Sequence, residues 1–144
     1  MGKNALDIAL HFLKFRPRSE FEIRQKLLSK KISEKEIDNT INVLMRNKLL
    51  DDTEFAKMYV RDRNRFRPSG AFVLRLELKK LGISEIDIDP ALSDQDEEML
   101  AIEALESKHK YCHADFEKKA QFLQRRGFSM NIIMKILKDI NSKR

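Results

Sequence analysis

Apolar residues recur along this chain at helical spacing, and the same short turn cuts the pattern three times. The run from Ala5 to Phe15 can be capped by Asn4, with Asp7 in the first turn, where a negative charge suits the helix dipole. After the break at Pro17, Ser19 with Glu22 and Ser33 with Glu36 carry capping-box spacing. Helices are therefore expected from Ser19 through Lys30 and from Ser33 to about Asn47, the latter with Ile37, Ile41, Leu44 and Met45 on one face. A further helix opens at Asp51 or Asp52, with Glu54 as the box partner of Asp51, and Phe55, Tyr59 and Phe66 form its inward line. Pro68-Ser69-Gly70 ends it. The next helix turns Leu74, Leu78 and Leu81 inward and Arg75 and Lys79 outward, and Gly82 supplies the left-handed position at its end. Pro90 would cost about 3 kcal/mol in a helix interior. The expected course is one turn from Ser84, then a restart with Asp89 as cap and Pro90 in the first helical position. Later helices are expected over roughly Asp96 to Ser107, Asp115 to Arg126 and Ser129 to Ile140, with a break near Tyr111-Cys112-His113.

The turns Lys30-Lys31-Ile32-Ser33, Leu81-Gly82-Ile83-Ser84 and Arg126-Gly127-Phe128-Ser129 all end in an apolar residue and serine, and the serines stand 51 and 45 residues apart. Self-similarity at that period indicates stacked copies of one supersecondary unit, each too small to bury its apolar face alone. The expected fold is all-α: three tandem three-helix repeats, over residues 1–50, 51–94 and 95–144, stacked into an elongated, curved rod. Such a surface suits gripping another polymer better than enclosing a small substrate. Lys31 stands where the other two turns have glycine. Left-handed geometry costs a lysine about 1 kcal/mol, so that turn is either slightly strained or shaped differently.

Composition narrows the class. Hydrophobic residues make up 42% of the chain and charged ones 36%, with four glycines and three prolines, which favours helix over disorder. The single Cys112 cannot form an internal disulfide, so a reducing compartment is expected. Asp7 and His11 interrupt the N-terminal apolar run, which does not read as a signal peptide. No uncharged stretch reaches the ~18 residues that span a bilayer. A cytoplasmic protein without membrane contact is expected.

The net charge of +6 is unevenly spread. From Lys57 to Lys80 there are eight basic and two acidic residues, whereas Leu81 to Ser107 holds nine acidic residues and no Lys or Arg. Lys57, Arg61 and Arg65 form an i, i+4, i+8 stripe, and Arg63, Arg67, Arg75, Lys79 and Lys80 extend it. A second basic cluster holds Lys14, Arg16 and Arg18 with Arg24, Lys26, Lys30 and Lys31, diluted by Glu20 and Glu22. A run of charge is most often a solvated helix face. Here few acids are interspersed, and the excess fits either DNA phosphates or an acidic protein surface. The acidic stretch could itself meet a basic partner. Among the aromatics, Phe12, Phe15, Phe55, Tyr59, Phe66 and Phe122 take core spacing. Phe72 lies one turn from Arg75 and could stack on a base, although core is the favoured reading. His109, Cys112 and His113 make only three metal donors where a structural site takes four, so no metal is expected. Neither a glycine-rich phosphate loop nor a catalytic constellation is present, so no cofactor and no enzymatic activity are expected.

Three segments resemble the RecX family, the bacterial regulators of the RecA recombinase. They are Arg16-Pro17-Arg18-Ser19-Glu20-Phe21-Glu22-Ile23-Arg24-Gln25-Lys26-Leu27; Leu50-Asp51-Asp52-Thr53-Glu54-Phe55-Ala56 with Tyr59, Arg63 and Leu74 to Leu78 ending at Gly82-Ile83-Ser84; and Phe122-Leu123-Gln124-Arg125-Arg126-Gly127-Phe128-Ser129. Ala71 replaces a proline of the family pattern, while Pro90 and Lys31 also depart from it, which bears on the angles between units. The resemblance implies a monomeric modulator that binds the RecA filament on single-stranded DNA, in its groove or at its growing end. Filament extension, ATP hydrolysis, strand exchange and co-protease activity would fall. DNA contact could be direct or through the filament, with double-stranded DNA a further candidate. Two other classes fit the residues: a helical protein acting directly on DNA, and a scaffold with no DNA connection.

Overall fold

The computed structural model describes residues 4 to 142. All regular structure among them is helical: α1 (Ala5–Phe15), α2 (Glu20–Ser29), α3 (Glu34–Arg46), α4 (Asp52–Phe66), α5 (Ala71–Lys80), α6 (Glu85–Ser93), α7 (Glu97–Ser107), α8 (His109–Cys112), α9 (Phe116–Arg125) and α10 (Met130–Ser142). Asn4, Ser19, Ser33, Asp51, Asp96 and Asp115 each accept the backbone N–H three residues on, so the polar residue before each of these helices starts it. Only Ser19 and Glu22 complete the reciprocal box, with the Ser19 N–H donating to Glu22 Oε1 at 3.1 Å. Ser33 and Asp51 make half of one. Ser84 makes none, because its hydroxyl donates to Asp87 instead, at 3.0 Å.

Three apolar cores follow the chain in order. The first gathers Ala9, Ile23, Leu27, Ile41 and Leu44 from α1–α3, and the second Ala56, Leu74, Leu78 and Ile88 from α4–α6. The third joins Ala104, Leu123, Ile133 and Leu137 from α7, α9 and α10. Each fully buried Leu or Ile contributes about 1.5–3 kcal/mol. The fold is thus a rod of tandem three-helix repeats, the third carrying the extra turn α8. That short helix replaces the expected break: Lys108 is extended and ends α7, and the N–H groups of Tyr111 and Cys112 return to the Lys108 carbonyl.

The recurrent turn closes the second helix of every repeat. The N–H groups of Lys31 and Ile32 bond back to the carbonyls of Leu28 and Leu27. Gly82 and Ile83 do the same to Lys79 and Leu78, and Gly127 and Phe128 to Gln124 and Leu123. This is the Schellman pattern, in which the residue after the left-handed position carries an apolar side chain back onto the helix. Ile83 and Phe128 are each 3% exposed. All three central residues are left-handed, with φ of 61° at Lys31, 79° at Gly82 and 93° at Gly127. Lys48 adds a fourth such turn after α3, with φ of 58°.

These turns also hold the repeats together. At the first joint the buried Ser19 hydroxyl donates to the Leu81 carbonyl at 2.6 Å, and the Glu20 N–H donates to Asp52 Oδ1 at 2.9 Å. At the second, the Gly70 N–H donates to the Arg126 carbonyl at 2.7 Å, and the Ala71 N–H donates to Glu97 Oε1 at 2.9 Å. The same places in successive repeats are used. The second helix of one repeat starts on the turn that ends the second helix of the next, and the acid opening the next repeat's first helix caps it. Glycine is needed in the receiving turn by space as well as by φ. A Cβ on Gly127 would lie 2.6 Å from the Val73 nitrogen, and one on Gly82 would lie 2.2 Å from the Phe21 Cβ. Among the described residues no helix start docks on the Lys31 turn, and Lys31 is exposed, so that turn tolerates a side chain.

Several expectations need correction. α6 runs unbroken through Pro90. The proline removes a bond only from the Ile86 carbonyl, and both residues lie on the solvent face, where water satisfies it. Phe66, Phe15 and Phe72 are not core: they are 84%, 69% and 68% exposed. Phe15 and Phe66 end their helices, where the apolar stripe turns past the neighbouring helix. Phe72 opens α5 on the side away from Leu74 and Leu78. Met45 is likewise largely exposed, beside the buried Leu44.

Gly127→Ala is expected to lower unfolding free energy by at least about 2 kcal/mol, combining left-handed strain with the clash at the joint. Lys31→Gly is expected to be neutral or stabilising by up to about 1 kcal/mol. Urea unfolding of both variants checks this; equal losses would mean that docking does not set the glycine requirement.

Candidate interaction surface

Helix α4 is built to display charge. Its inner line of Phe55, Ala56 and Val60 is buried, which leaves Lys57, Arg61 and Arg65 exposed on another face. Lys57 lies 3.8 Å from Glu54, too far for a hydrogen bond. Arg61, Arg65, Arg67 and Lys80 are exposed and form no ion pair among the described residues, although the field of Arg67 reaches Glu77. They are the most available of the basic residues singled out from the sequence.

The others are tied down. Arg63 Nε donates to Glu77 Oε1 at 2.8 Å and its Nη2 to Oε2 at 3.0 Å, while the Tyr59 hydroxyl donates to the same carboxylate at 2.8 Å. Arg75 bonds Asp89 at 2.8 Å and also Glu85, and Lys79 reaches Glu85 at 2.6 Å. Arg16 pairs with Glu22. Arg18 stacks on Phe12 with 3.7 Å to the ring centroid, and Arg24 bridges Glu20 and Asp38 at 3.1 and 2.7 Å. The acidic stretch is therefore spent partly inside the molecule. Glu85 and Asp89 neutralise α5, Glu97 caps it, and Glu98 pairs with Lys135.

At the first joint two adjoining grooves, of about 610 and 850 Å³, share Arg16, Pro17, Phe55 and Met58. Lys80 and the exposed Phe66 line one of them, Arg61 and the exposed Phe15 the other. Arg16 and Arg18 of the first repeat and Arg61 of α4, separate in sequence, thus face adjoining grooves. At the second joint lies a smaller cavity, of about 280 Å³, lined by Arg67, Lys108, Tyr111, Phe122, Arg125 and Arg126. Sequence reasoning selected only Arg67 from this group. Lys108, Arg125 and Arg126 sit in a different repeat, and only the joint brings them to Arg67; their one signal was three cations flanking the aromatic pair Tyr111 and Phe122.

The donor atoms of His109, Cys112 and His113 lie within 4.8 Å of one another on α8. No fourth ligand joins these three among the described residues. Among the described residues, no helix is long and apolar enough to cross a membrane.

The fold and this surface define a class, a tandem array of three-helix repeats with basic residues, unpaired among the described residues, exposed on α4 and at the joints. Two family models match in register, the first three-helix domain of RecX over residues 5–44 and the second over residues 51–92. Regulatory protein RecX of Chlorobium phaeobacteroides (strain BS1) is 39% identical over 142 residues, covering 96% of this chain and 94% of the relative. Regulatory protein RecX of Geobacillus sp. (strain WCH70) is 36% identical, and there the match covers 90% of this chain but 51% of the relative, about half its length. The crystal structure of RecX from Lactobacillus salivarius superposes with a TM-score of 0.86 at 28% identity, covering 95% of this chain and 94% of that one. This chain belongs to the RecX family, whose named members are regulatory proteins.

The Arg63–Glu77–Tyr59 cluster gives a pH signature. Burial alone would raise the Glu77 pKa, but hydrogen bonds from Arg63 and Tyr59, with the fields of Arg63 and Arg67, hold it below the usual carboxylate range. A carboxyl depressed in the folded state adds stability above its unfolded pKa and loses it as pH falls through the folded one. Glu77→Gln is therefore expected to be less stable than the parent at neutral pH, by about 1 kcal/mol. The gap should narrow as pH drops below the ordinary glutamate value of about 4.3. Denaturant unfolding across that range checks it, and a constant gap would show that the carboxylate charge is not what matters.

Proposed function

We propose that this chain is a regulator of the RecA recombinase filament on single-stranded DNA. It limits filament extension and, with it, ATP hydrolysis, strand exchange and co-protease activity. The single observation that supports this most is membership of the RecX family along nearly the whole chain. The exposed Arg61 and Lys80, which line the grooves at the first joint, and the exposed Arg65 on the α4 stripe supply a surface for the filament's DNA or an acidic protein face. In this reading the chain works as a cytoplasmic monomer without catalysis or cofactor, and its building blocks are residues 1–50, 51–94 and 95–144.

Binding in a groove or at a growing end needs a long, stiff surface rather than a pocket. Joints in which the start of one helix bonds directly to a turn carbonyl and to the acid opening the next repeat provide stiffness.

The test is ATP hydrolysis by a preassembled RecA filament on excess single-stranded DNA, with this protein titrated in. Turnover is expected to fall at well under one molecule per recombinase protomer. Arg61→Glu with Arg65→Glu is expected to weaken the effect by about tenfold or more, equivalent to about 1.4 kcal/mol, without loss of helicity. Unchanged turnover at equimolar protein would refute the proposal.

A further inference from the structure

Arg126 is a buried cation without a carboxylate. It caps α9 and exposes only 5% of its surface. Its Nη1 donates to the Pro68 carbonyl at 2.7 Å, and its guanidinium carbon lies 4.9 Å from the centre of the Phe122 ring. Burial, then the fields of Arg67 and Arg63, push its pKa down, and no acid acts in the other direction. A guanidinium carries five N–H donors. No sealed side-chain nitrogen among the described residues lacks a partner, so the remaining Arg126 donors reach solvent through the cavity they line.

That cavity, of about 280 Å³, is walled by four cations, Arg67, Lys108, Arg125 and Arg126, with Tyr111 and Phe122 and no acid. Glu77, which feels the field of Arg67, is occupied by Arg63 and Tyr59. The site is held in shape before anything binds. Tyr111 stacks on Phe122 with centroids 4.3 Å apart, and its hydroxyl accepts from Arg125 Nη2 at 3.2 Å. The Gly70 N–H and the Pro68 carbonyl fix Arg126 at both ends, each at 2.7 Å. Several cations around one cavity repel one another, and a bound oxyanion relieves that repulsion. Converging guanidinium forks match the tetrahedral, multiply accepting phosphate group better than a carboxylate, which one fork would satisfy.

We infer that this cavity binds a phosphate group, gripped by Arg126 and Arg67, with Arg125 and Lys108 completing the shell. The phosphate is either that of a nucleic-acid strand or a free one, as in inorganic phosphate. Arg67 directly follows the α4 stripe, so a strand tracking Lys57, Arg61 and Arg65 would arrive here. The cavity stands independently of the recombinase reading; only a strand as the source rests on it.

The test uses the full chain with no recombinase present, so its result is separate from that of the filament experiment. Thermal unfolding is followed with inorganic phosphate against chloride at matched ionic strength. Binding of a fluorescent oligothymidylate is followed by anisotropy over a salt series. Arg126→Ala could open the joint, so the variant is Lys108→Gln with Arg125→Gln, both exposed and outside the proposed filament surface. Phosphate should raise the melting temperature of the parent beyond chloride, and the double variant should lose most of that rise. If a strand is the source, the variant should also bind the oligonucleotide several-fold more weakly, with the log–log salt slope reduced by roughly one. If free phosphate is the source, the melting response is lost and the oligonucleotide slope stays as in the parent. A parent that responds equally to phosphate and chloride, with an unchanged salt slope in the variant, would overturn the inference.

Discussion

The molecule depends on one contact made twice: the start of a second helix resting on the left-handed turn of the next repeat. Ser19 does this at Leu81 and Gly70 at Arg126, and in both places an acid that opens the following helix, Asp52 or Glu97, caps the incoming helix. Each joint satisfies helix-terminal N–H groups that water would otherwise hold, so stacking adds hydrogen bonds as well as apolar burial. The geometry leaves no volume for a Cβ at Gly127 or Gly82. Lys31 shares their backbone conformation without their restriction, because among the described residues no helix start docks on its turn.

What the sequence made legible was local. Turns, caps and breaks depend on a few neighbouring residues, so the capping serines, the proline breaks and the recurrent apolar-serine turn translated directly into helix ends. Inward faces were less legible at the helix ends. Phe15 and Phe66 keep the period of their helices but lie beyond the reach of the neighbouring helix, and periodicity does not report where a neighbour stops. Pro90 failed as a breaker for a similar reason. The missing bond falls on the solvent side, where water takes its place, and the cost estimated for a helix interior does not apply in full. Of the candidate surface, the α4 stripe was readable because it is one helix. The cavity at the second joint was not, because Arg67 and Arg126 stand 59 positions apart in the numbering and meet only through the joint.

Charge shows the same division between local and assembled information. The sequence reads as a basic block followed by an acidic one, as though two opposite surfaces were on offer. Folding lays one against the other through Arg75 and Lys79 with Glu85 and Asp89. These pairs are exposed enough that each contributes little to stability, but they remove most of α5 from the field that a polyanion would feel. The outward positive field then comes mainly from α4 and its C-terminal end, a narrower strip than the count of basic residues suggests.

A narrow strip and stiff joints belong together. A protein that meets a polymer along its length gains from each contact only if the contacts keep the polymer's own spacing, since flexible links between them cost ordering entropy on every binding event. A pair within one helix, such as Lys57 with Glu54, could not fix that spacing; hydrogen bonds that seat a helix start on the next repeat's turn, at 2.6 and 2.7 Å, can. The second joint goes further, because Arg126 serves it with its carbonyl and its guanidinium together while leaving donors for the cavity. An anion held there would draw on the residue that sets the orientation of the third repeat. Binding and the shape of the rod would then be coupled through one side chain, with no moving part between them.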